Sequence, residues 1–353
     1  MERDDLDTWI RTGDLDELLR EIDRACSRRD WDDVAMIRDR ARAANETGHQ
    51  LWPAASFAEY RLALEGSDEW AARVVDEGGG YLAPGPLSEV AAQRHPWAAL
   101  GPLLPHGPAR ELVRQERVLR GEDCAGDTAT GDTAAGDTAT DDTAADGVSG
   151  SGLPVALTPW EGPYAVATYR PDGADFPRPD VATPRTPVDG SPRLDCPDGA
   201  DGTRALLDTV RHWASHSTGT VRAVCVEGTA DDAVASVIAA RDDAAADQPG
   251  TVPLLAPVGP GTAIALIAWA AASGGAHGRR RGMATGRFEA WWCAAVLAGV
   301  EDDWPLDIGG AISELDWYVW SDGTPSIGWE CRLAVADAVD GLAWALDAVD
   351  RIP

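Results

Sequence analysis

The sequence predicts an α+β protein built from an N-terminal all-α helical-hairpin region, a disordered acidic linker and a C-terminal small mixed or antiparallel sheet packed on helices. Apolar residues recur at helical spacing over residues 1–120. Residues 126–146 cycle through GDTAT, GDTAA and DDTAA. The C-terminal part interleaves helical patterns with strands that alternate apolar and polar residues. We therefore expect a helical domain at 1–120, a linker at 121–152 and an α+β domain at 153–353.

Residues 1–120 contain amphipathic runs joined by short loops. Apolar residues recur at helical spacing over 9–22, 31–41 and 52–64. Asp14 and Asp30 precede the first two runs and are suited to cap helices there. Short helices joined by short loops predict an array of helical hairpins.

The low-complexity stretch has almost no apolar area to bury. Chain entropy therefore favours disorder over residues 121–152. An aspartate recurs every five residues in the stretch. Calcium-binding β-roll repeats need a nine-residue period with paired glycines and a large apolar residue, so the spacing disfavours a calcium site.

The C-terminal domain shows both periodicities. Thr229 and Asp232 predict a capping box at the start of one helix, and Asp322-Gly323 predicts the turn of a hairpin. About three or four strands are expected to pack against helices. In chain order the predicted elements are a strand at 164–169, a helix at 203–217, a strand at 221–226, helices at 233–240, 262–273 and 283–300, strands at 315–319 and 329–335, and a last helix at 339–349.

The charge balance is extreme. All 30 basic residues are arginine, and 59 acidic residues give a formal net charge of -29. Repulsion at this density destabilises a compact state unless salt screens it. This composition is typical of the cytoplasm of a salt-accumulating, halophilic organism; a GC-rich genome would favour the same residue types. Phosphates would be repelled, which disfavours nucleic acid as a general partner.

Cysteine usage and hydropathy predict the compartment. The six cysteines are scattered and include no CxxC pair. The N-terminus is acidic and lacks the apolar core of a secretory signal. The longest apolar stretch, residues 263–272, is too short to span a bilayer. We therefore expect a cytoplasmic protein with reduced thiols and no membrane partner.

Residues 273–287, which we call the Gly/Arg segment, are the most unusual part of the chain. Guanidinium groups bind phosphate or carboxylate in a bidentate way, and glycines let the backbone approach a ligand. The segment therefore predicts a site for a small anionic ligand; the alternative is that its arginines pair with the domain's own acids, such as those at 301–303. Nothing in it identifies a cofactor, and its spacing is not that of a phosphate loop. The candidate ligand-binding residues are His277, Arg279, Arg280, Arg281 and Arg287.

The tryptophan-rich stretch that follows predicts a buried helix face. Four residues share the i, i+3, i+4, i+7 spacing of such a face: Phe288, Trp291, Trp292 and Ala295. We expect Trp317 and Trp329, on the predicted hairpin, to pack onto this face.

A short helical run carries possible metal ligands. Asp208, His212 and His216 lie four residues apart and share one helix face. The pattern lacks a further acid, and Arg204 and Arg211 compete for Asp208. We therefore predict no metal site here.

Three stretches resemble a family of uncharacterised proteins from GC-rich actinobacteria and halophilic archaea. They are residues 273–307, which begin SGGAHGRRRG, residues 314–350, which begin ELDWYVW, and residues 51–92, which begin LWPAASFAEY. The resemblance covers most of the chain outside the linker. It implies a coherent two-part protein, and it implies no activity, cofactor or site residue.

Two classes of function fit these patterns. The first is a non-catalytic binding or interaction protein in which the helical region engages a protein partner. The second is an enzyme or sensor for a small anionic ligand that uses the segment 273–287. The sequence favours the first, because no catalytic motif is assembled in it.

We predict that stability rises with salt. Added potassium chloride shortens the Debye length from about 8 Å at physiological ionic strength to about 3 Å at molar concentration. Repulsion among the excess acids should then fall and the melting temperature should increase. Circular dichroism melts across a potassium chloride series measure this. Equal melting temperatures at low and molar salt would contradict the prediction.

Overall fold

The computed structural model describes residues 3–351 except 47, 49, 126–150, 242–251, 305–306 and 326–327. Most of the predicted disordered linker therefore lies outside the described residues. The chain divides into two compact units, which we call the helical unit and the sheet unit. The helical unit contains the described residues of 1–150 with 154–157 and 166–176, and the sheet unit contains 151–153, 158–165 and the described residues of 177–353. The predicted boundaries at 1–120, 121–152 and 153–353 stay a prediction.

Helices build the helical unit, as the apolar spacing predicts. Asp14 caps α2 by accepting a hydrogen bond from the Glu17 amide at 3.2 Å, and Asp30 accepts one from the Asp33 amide at 3.3 Å. Helix α4 is buried along most of its length and forms the centre of the unit. The α-helices are α1 (Arg3–Thr12), α2 (Leu15–Arg28), α3 (Trp31–Glu46), α4 (Trp52–Glu65), α5 (Asp68–Asp76), α6 (Leu87–Arg94), α7 (Trp97–Leu100) and α8 (Pro108–Leu119).

A small hairpin completes the helical unit. Strands β1 (Thr168–Arg170) and β2 (Gly173–Asp175) pair antiparallel. The Gln93 side chain bonds the backbone N–H and C=O of Tyr169, and the Tyr169 hydroxyl donates to Glu89 at 2.7 Å. These contacts fix the hairpin to α6. The strand predicted at 164–169 is thus reduced to its last two residues plus Arg170.

The sheet unit confirms the predicted α+β class. Its strands run in the order β3-β5-β6-β7-β8-β4, and each neighbouring pair is antiparallel. The elements are β3 (Thr186–Pro187), α9 (Ala200–Ser215), β4 (Thr220–Glu227), α10 (Ala230–Ala239), β5 (Leu254–Val258), α11 (Pro260–Ser273), α12 (Met283–Leu297), α13 (Gly309–Ile312), β6 (Asp316–Ser321), β7 (Trp329–Asp337) and β8 (Leu342–Asp350).

Helices cover both faces of the sheet. Helix α10 packs on one face against alanines of β7 and β8 and against Trp320. Helices α9 and α11 contact the sheet from the other side, and α12 packs on both of them. The predicted capping box at the start of α10 is confirmed, because Thr229 and Asp232 each accept the other's backbone N–H at 3.3 Å.

The helix predicted at 339–349 is wrong, because residues 342–350 form strand β8. This strand lies between β7 and β4. Four consecutive residues, 343–346, are buried. A central strand covered on both faces is apolar without alternation, so period alone does not separate it from a buried helix. The prediction also missed β5, whose strand pattern is interrupted by Pro257.

The aromatic face of α12 is only partly buried. Trp291 and Ala295 are fully buried, as predicted, but Trp292 is 41% exposed and Phe288 is 38% exposed. The predicted core role is therefore wrong for these two residues. Trp329 instead stacks on Trp269 of α11, with ring centroids 5.1 Å apart.

The six cysteines are all free and buried. Among the described residues, no helix is both long enough and apolar enough to cross a membrane.

We predict that Trp291→Ala lowers the free energy of unfolding by about 3–5 kcal/mol, because it removes a fully buried indole and leaves a cavity. The neighbouring Trp292→Ala variant is the control, and it should cost about 1 kcal/mol because its indole is substantially exposed. Denaturant unfolding of both variants measures the difference. Equal midpoints for Trp291→Ala and wild type would place this indole outside the core.

Candidate functional site

The Gly/Arg segment connects α11 to α12, and its backbone is held by a buried acid. Gly274, Gly275 and Gly282 have positive φ angles of 71°, 87° and 96°, which favour glycine. The Asp350 carboxylate, fully buried, accepts hydrogen bonds from the Ala276 amide at 2.6 Å and from the Thr218 hydroxyl at 3.1 Å. The glycines therefore serve a tight connection around Asp350.

Arg287 forms a buried ion pair. Its guanidinium donates to both oxygens of Glu161, at 2.8 and 2.7 Å, and neither side chain has exposed surface. The same carboxylate accepts hydrogen bonds from the Trp291 indole at 3.0 Å, from the Tyr164 hydroxyl at 2.5 Å and from the Thr158 amide at 2.9 Å. Burial alone would raise the pKa of Glu161, but Arg287 and these donors outweigh it and lower that pKa.

The other four candidate residues differ in their solvent exposure. Arg281 forms a two-pronged ion pair with Glu289, at 2.7 and 2.5 Å. Arg280 is buried, whereas His277 and Arg279 are exposed. The structure does not bring the five residues together on one surface. Internal pairing occurs for Arg281 and Arg287, with acids other than those at 301–303.

His212 and His216 stack on α9, as their spacing predicts. Their rings are 5.3 Å apart, and the two Nδ1 atoms are 3.1 Å apart. Burial and the nearby charges of Arg281 and Arg211 lower the pKa of His212 to about 4. Within the described part of the chain, no cluster of three or more metal-ligating side chains occurs.

Sequence reasoning missed a cavity of about 360 Å³ at the end of β6 and the start of β7. We call it the Glu330 cavity. It is within the range of about 300–1,000 Å³ that is usual for small-molecule sites. Its lining is Leu266, Val319, Trp320, Ser321, Thr324, Glu330, Arg332 and the segment 178–184.

A buried charge network forms one wall of the Glu330 cavity. Arg332 donates two hydrogen bonds to Asp322, at 3.0 and 2.7 Å, and a third to Asp347 at 3.1 Å. Arg241 bonds the same two aspartates, at 3.1 and 2.8 Å. Both guanidinium groups also lie over the Trp320 ring, 5.2 and 5.7 Å from its centroid. The network therefore holds its own members rigidly.

The charge of this network is fixed. Burial alone would raise the pKa of Asp322. Hydrogen bonds from Thr324, the charge of Arg332 and a hydrogen bond from Arg241 outweigh burial and lower that pKa to about 2. Asp322 is consequently a carboxylate at neutral pH, and it keeps Arg332 in place.

Glu330 differs from the other acids of this wall. Its side chain is 7% exposed, and Arg332 Nη1 lies 3.6 Å from its Oε2. That separation is an ion pair and not a hydrogen bond. Oε1 is buried and has no hydrogen-bond partner among the described residues. Buried carboxylates are normally hydrogen-bonded, so Glu330 is the group of this cavity that a ligand would complete.

A second cavity, of about 650 Å³, lies in the helical unit. Phe57, Leu82 and several prolines line it. Its polar groups are paired, since the Tyr60 hydroxyl donates to the Arg170 carbonyl at 2.6 Å and the Ser56 hydroxyl accepts the Leu82 amide at 2.8 Å. No group in this described lining resembles Glu330, so the Glu330 cavity is the better candidate.

One sequence signal pointed to the Glu330 cavity. Glu330 and Arg332 lie at alternate positions of a strand whose other side is apolar, and Asp347 interrupts the next apolar run. Charged residues inside strands that are otherwise apolar indicate a buried polar network. The alternation of apolar residues over 329–335 predicts only the apolar face of β7, which is opposite to Glu330 and Arg332.

A family model described as a family of unknown function, DUF6183, matches residues 16–350. No curated protein and no solved structure matches the chain.

We predict that Arg287→Met destabilises the fold by about 3–5 kcal/mol, because it leaves the Glu161 carboxylate buried without its cation. The control is Arg204→Met, which removes an arginine whose ion pair with Asp201 is exposed on the surface and should change the free energy of unfolding by at most about 1 kcal/mol. Urea unfolding of the two variants compares them. Equal, small effects would show that the buried pair adds little.

Proposed function

We infer that this chain, which belongs to DUF6183, a family of unknown function, is a non-catalytic protein that binds a small molecule in the Glu330 cavity. The family resemblance read from the sequence is confirmed, whereas its range among actinobacteria and halophilic archaea stays a prediction. The observation that carries the proposal is Glu330, a carboxylate that lines the cavity and accepts no hydrogen bond from a described residue.

The lining favours binding over catalysis. The lining combines apolar residues, among them Trp320, Leu266 and Val319, with a few polar ones, which is the usual make-up of a ligand pocket. The described lining contains no histidine or cysteine that would act as base or nucleophile. Arg332 is engaged by aspartates and is therefore a support for the wall.

Other predictions from the sequence concern the Gly/Arg segment, a protein partner, the salt environment and the cellular location. A site for a small anionic ligand in the Gly/Arg segment stays a prediction, and two of its five candidate residues, Arg281 and Arg287, form internal ion pairs. A protein partner for the helical unit stays a prediction. So do adaptation to high salt and a cytoplasmic location, for which the charge of -29 is the support.

We predict that a thermal-shift screen of the full chain at fixed molar salt finds small molecules that stabilise it. A bound ligand contributes about 2.7 kcal/mol at a hundredfold excess over its Kd. Ala182→Trp should abolish the shift, because an indole at this exposed lining position fills the cavity mouth.

The control is Ala214→Trp, which adds the same ring at an exposed position of α9 away from the cavity. It should keep the wild-type response. A stabilising compound that acts equally on Ala182→Trp would bind elsewhere and would refute this location. A library without any stabilising compound would count against a small-molecule function.

A further inference from the structure

We propose that the ligand of the Glu330 cavity carries a cation with N–H donors, a primary ammonium, amidinium or guanidinium, which the Glu330 carboxylate binds. This inference rests on the proposed binding function and specifies the chemistry of the ligand. It also differs from the small anion that the Gly/Arg segment predicts.

The first argument is the state of the Glu330 carboxylate. It lines the cavity, is 7% exposed and accepts no hydrogen bond from a described residue. A buried carboxylate is costly unless a cation and hydrogen-bond donors meet it. A charged N–H group supplies both at once, in the strongest class of hydrogen bond.

The second argument is that the two arginines of the buried charge network, Arg332 and Arg241, are committed to aspartates. All three nitrogens of the Arg332 guanidinium donate to Asp322 and Asp347. Arg241 bonds the same two acids. Arg222 lies opposite Asp347 in the pairing of β4 with β8, two strands and about 10 Å from β7. Asp347 therefore lies between Arg222 and Arg332, and Glu330 is two residues away from Arg332 along β7, opposite Val349.

The third argument is the state of the other charged residues that line the cavity. Asp180 forms neither an ion pair nor a hydrogen bond with a described residue, and Glu330 forms only the long contact to Arg332. Arg178 stacks on Trp269 at 5.3 Å and has no carboxylate partner among the described residues. Asp180 and Arg178 balance each other in charge, so they leave no excess of positive charge that would repel a cation from Glu330.

The state of the Trp320 ring favours a cation with N–H donors over a quaternary ammonium. A quaternary ammonium needs an aromatic face, but Arg332 and Arg241 already lie over the Trp320 ring. A cation with N–H donors needs only the carboxylate. The cavity volume of about 360 Å³ suits a small molecule that carries such a group and an apolar body.

The test uses isosteric probes. Butylguanidinium is compared with neutral butylurea, and butylammonium with butanol, by isothermal titration calorimetry on the full chain at fixed molar potassium chloride. We expect each cation to bind at least about tenfold more tightly than its neutral counterpart, since a hydrogen bond to a charged group exceeds a neutral one by about that factor. Glu330→Gln should remove this preference.

The control is Glu314→Gln, which makes the same change at an exposed acid outside the cavity lining and should keep the preference. If Glu330→Gln does not fold, two further experiments test the inference. Asp180→Asn, at an exposed lining residue, should weaken cation binding, and crystals of wild type soaked with butylguanidinium should show a probe nitrogen within hydrogen-bond distance of Glu330.

The outcomes separate this inference from the proposed function. Neutral and cationic probes that bind equally, and that Ala182→Trp excludes, would overturn the cation preference and leave the binding function standing. A preference that survives Glu330→Gln would assign the cation to another group. Cations that do not bind at millimolar concentration would overturn the inference, and a failed library screen would overturn both.

Discussion

The buried pair of Glu161 and Arg287 is the interaction on which the organisation of the sheet unit depends. Neither side chain has exposed surface, so each charge is stable only because the other is present. Glu161 lies in the short stretch 158–165, which joins this unit from far along the chain. Trp291, Tyr164 and Thr158 complete the same carboxylate. A single acid thus fixes the stretch to α12 and orients the core tryptophan of that helix.

Local signals predicted the elements that local chemistry determines. The caps at Asp14 and Thr229 were readable because a side chain bonds the backbone three residues away. Strand β8 was not readable, because its apolar run reflects burial on both faces of the sheet by helices distant in sequence. The exposed Trp292 shows the same limit, since helical spacing identifies a face but not whether another element covers it.

The functional residues divide in the same way. The arginines of the Gly/Arg segment were conspicuous, yet the role of Arg287 depends on an acid 126 residues away. Glu330 was inconspicuous in the sequence. It is a candidate because the described part of the fold places no hydrogen-bond donor on its carboxylate: Arg332 already donates to Asp322 and Asp347. No sequence spacing encodes the absence of a partner. A missing partner is recognised only when the hydrogen-bond donors and acceptors around a buried group are compared in the folded structure.

The buried cysteines can report how often each unit opens locally to solvent. Burial raises the pKa of Cys124 and of Cys331 to about 12, and that of Cys26 to about 11. The thiolate is the form that reacts with alkylating reagents, so modification of the native protein has to wait for a fluctuation that admits water. Cys26 and Cys124 report on the helical unit, and Cys331 reports on the sheet. The rate of alkylation at each position therefore measures how often that part of the fold opens, without any added label.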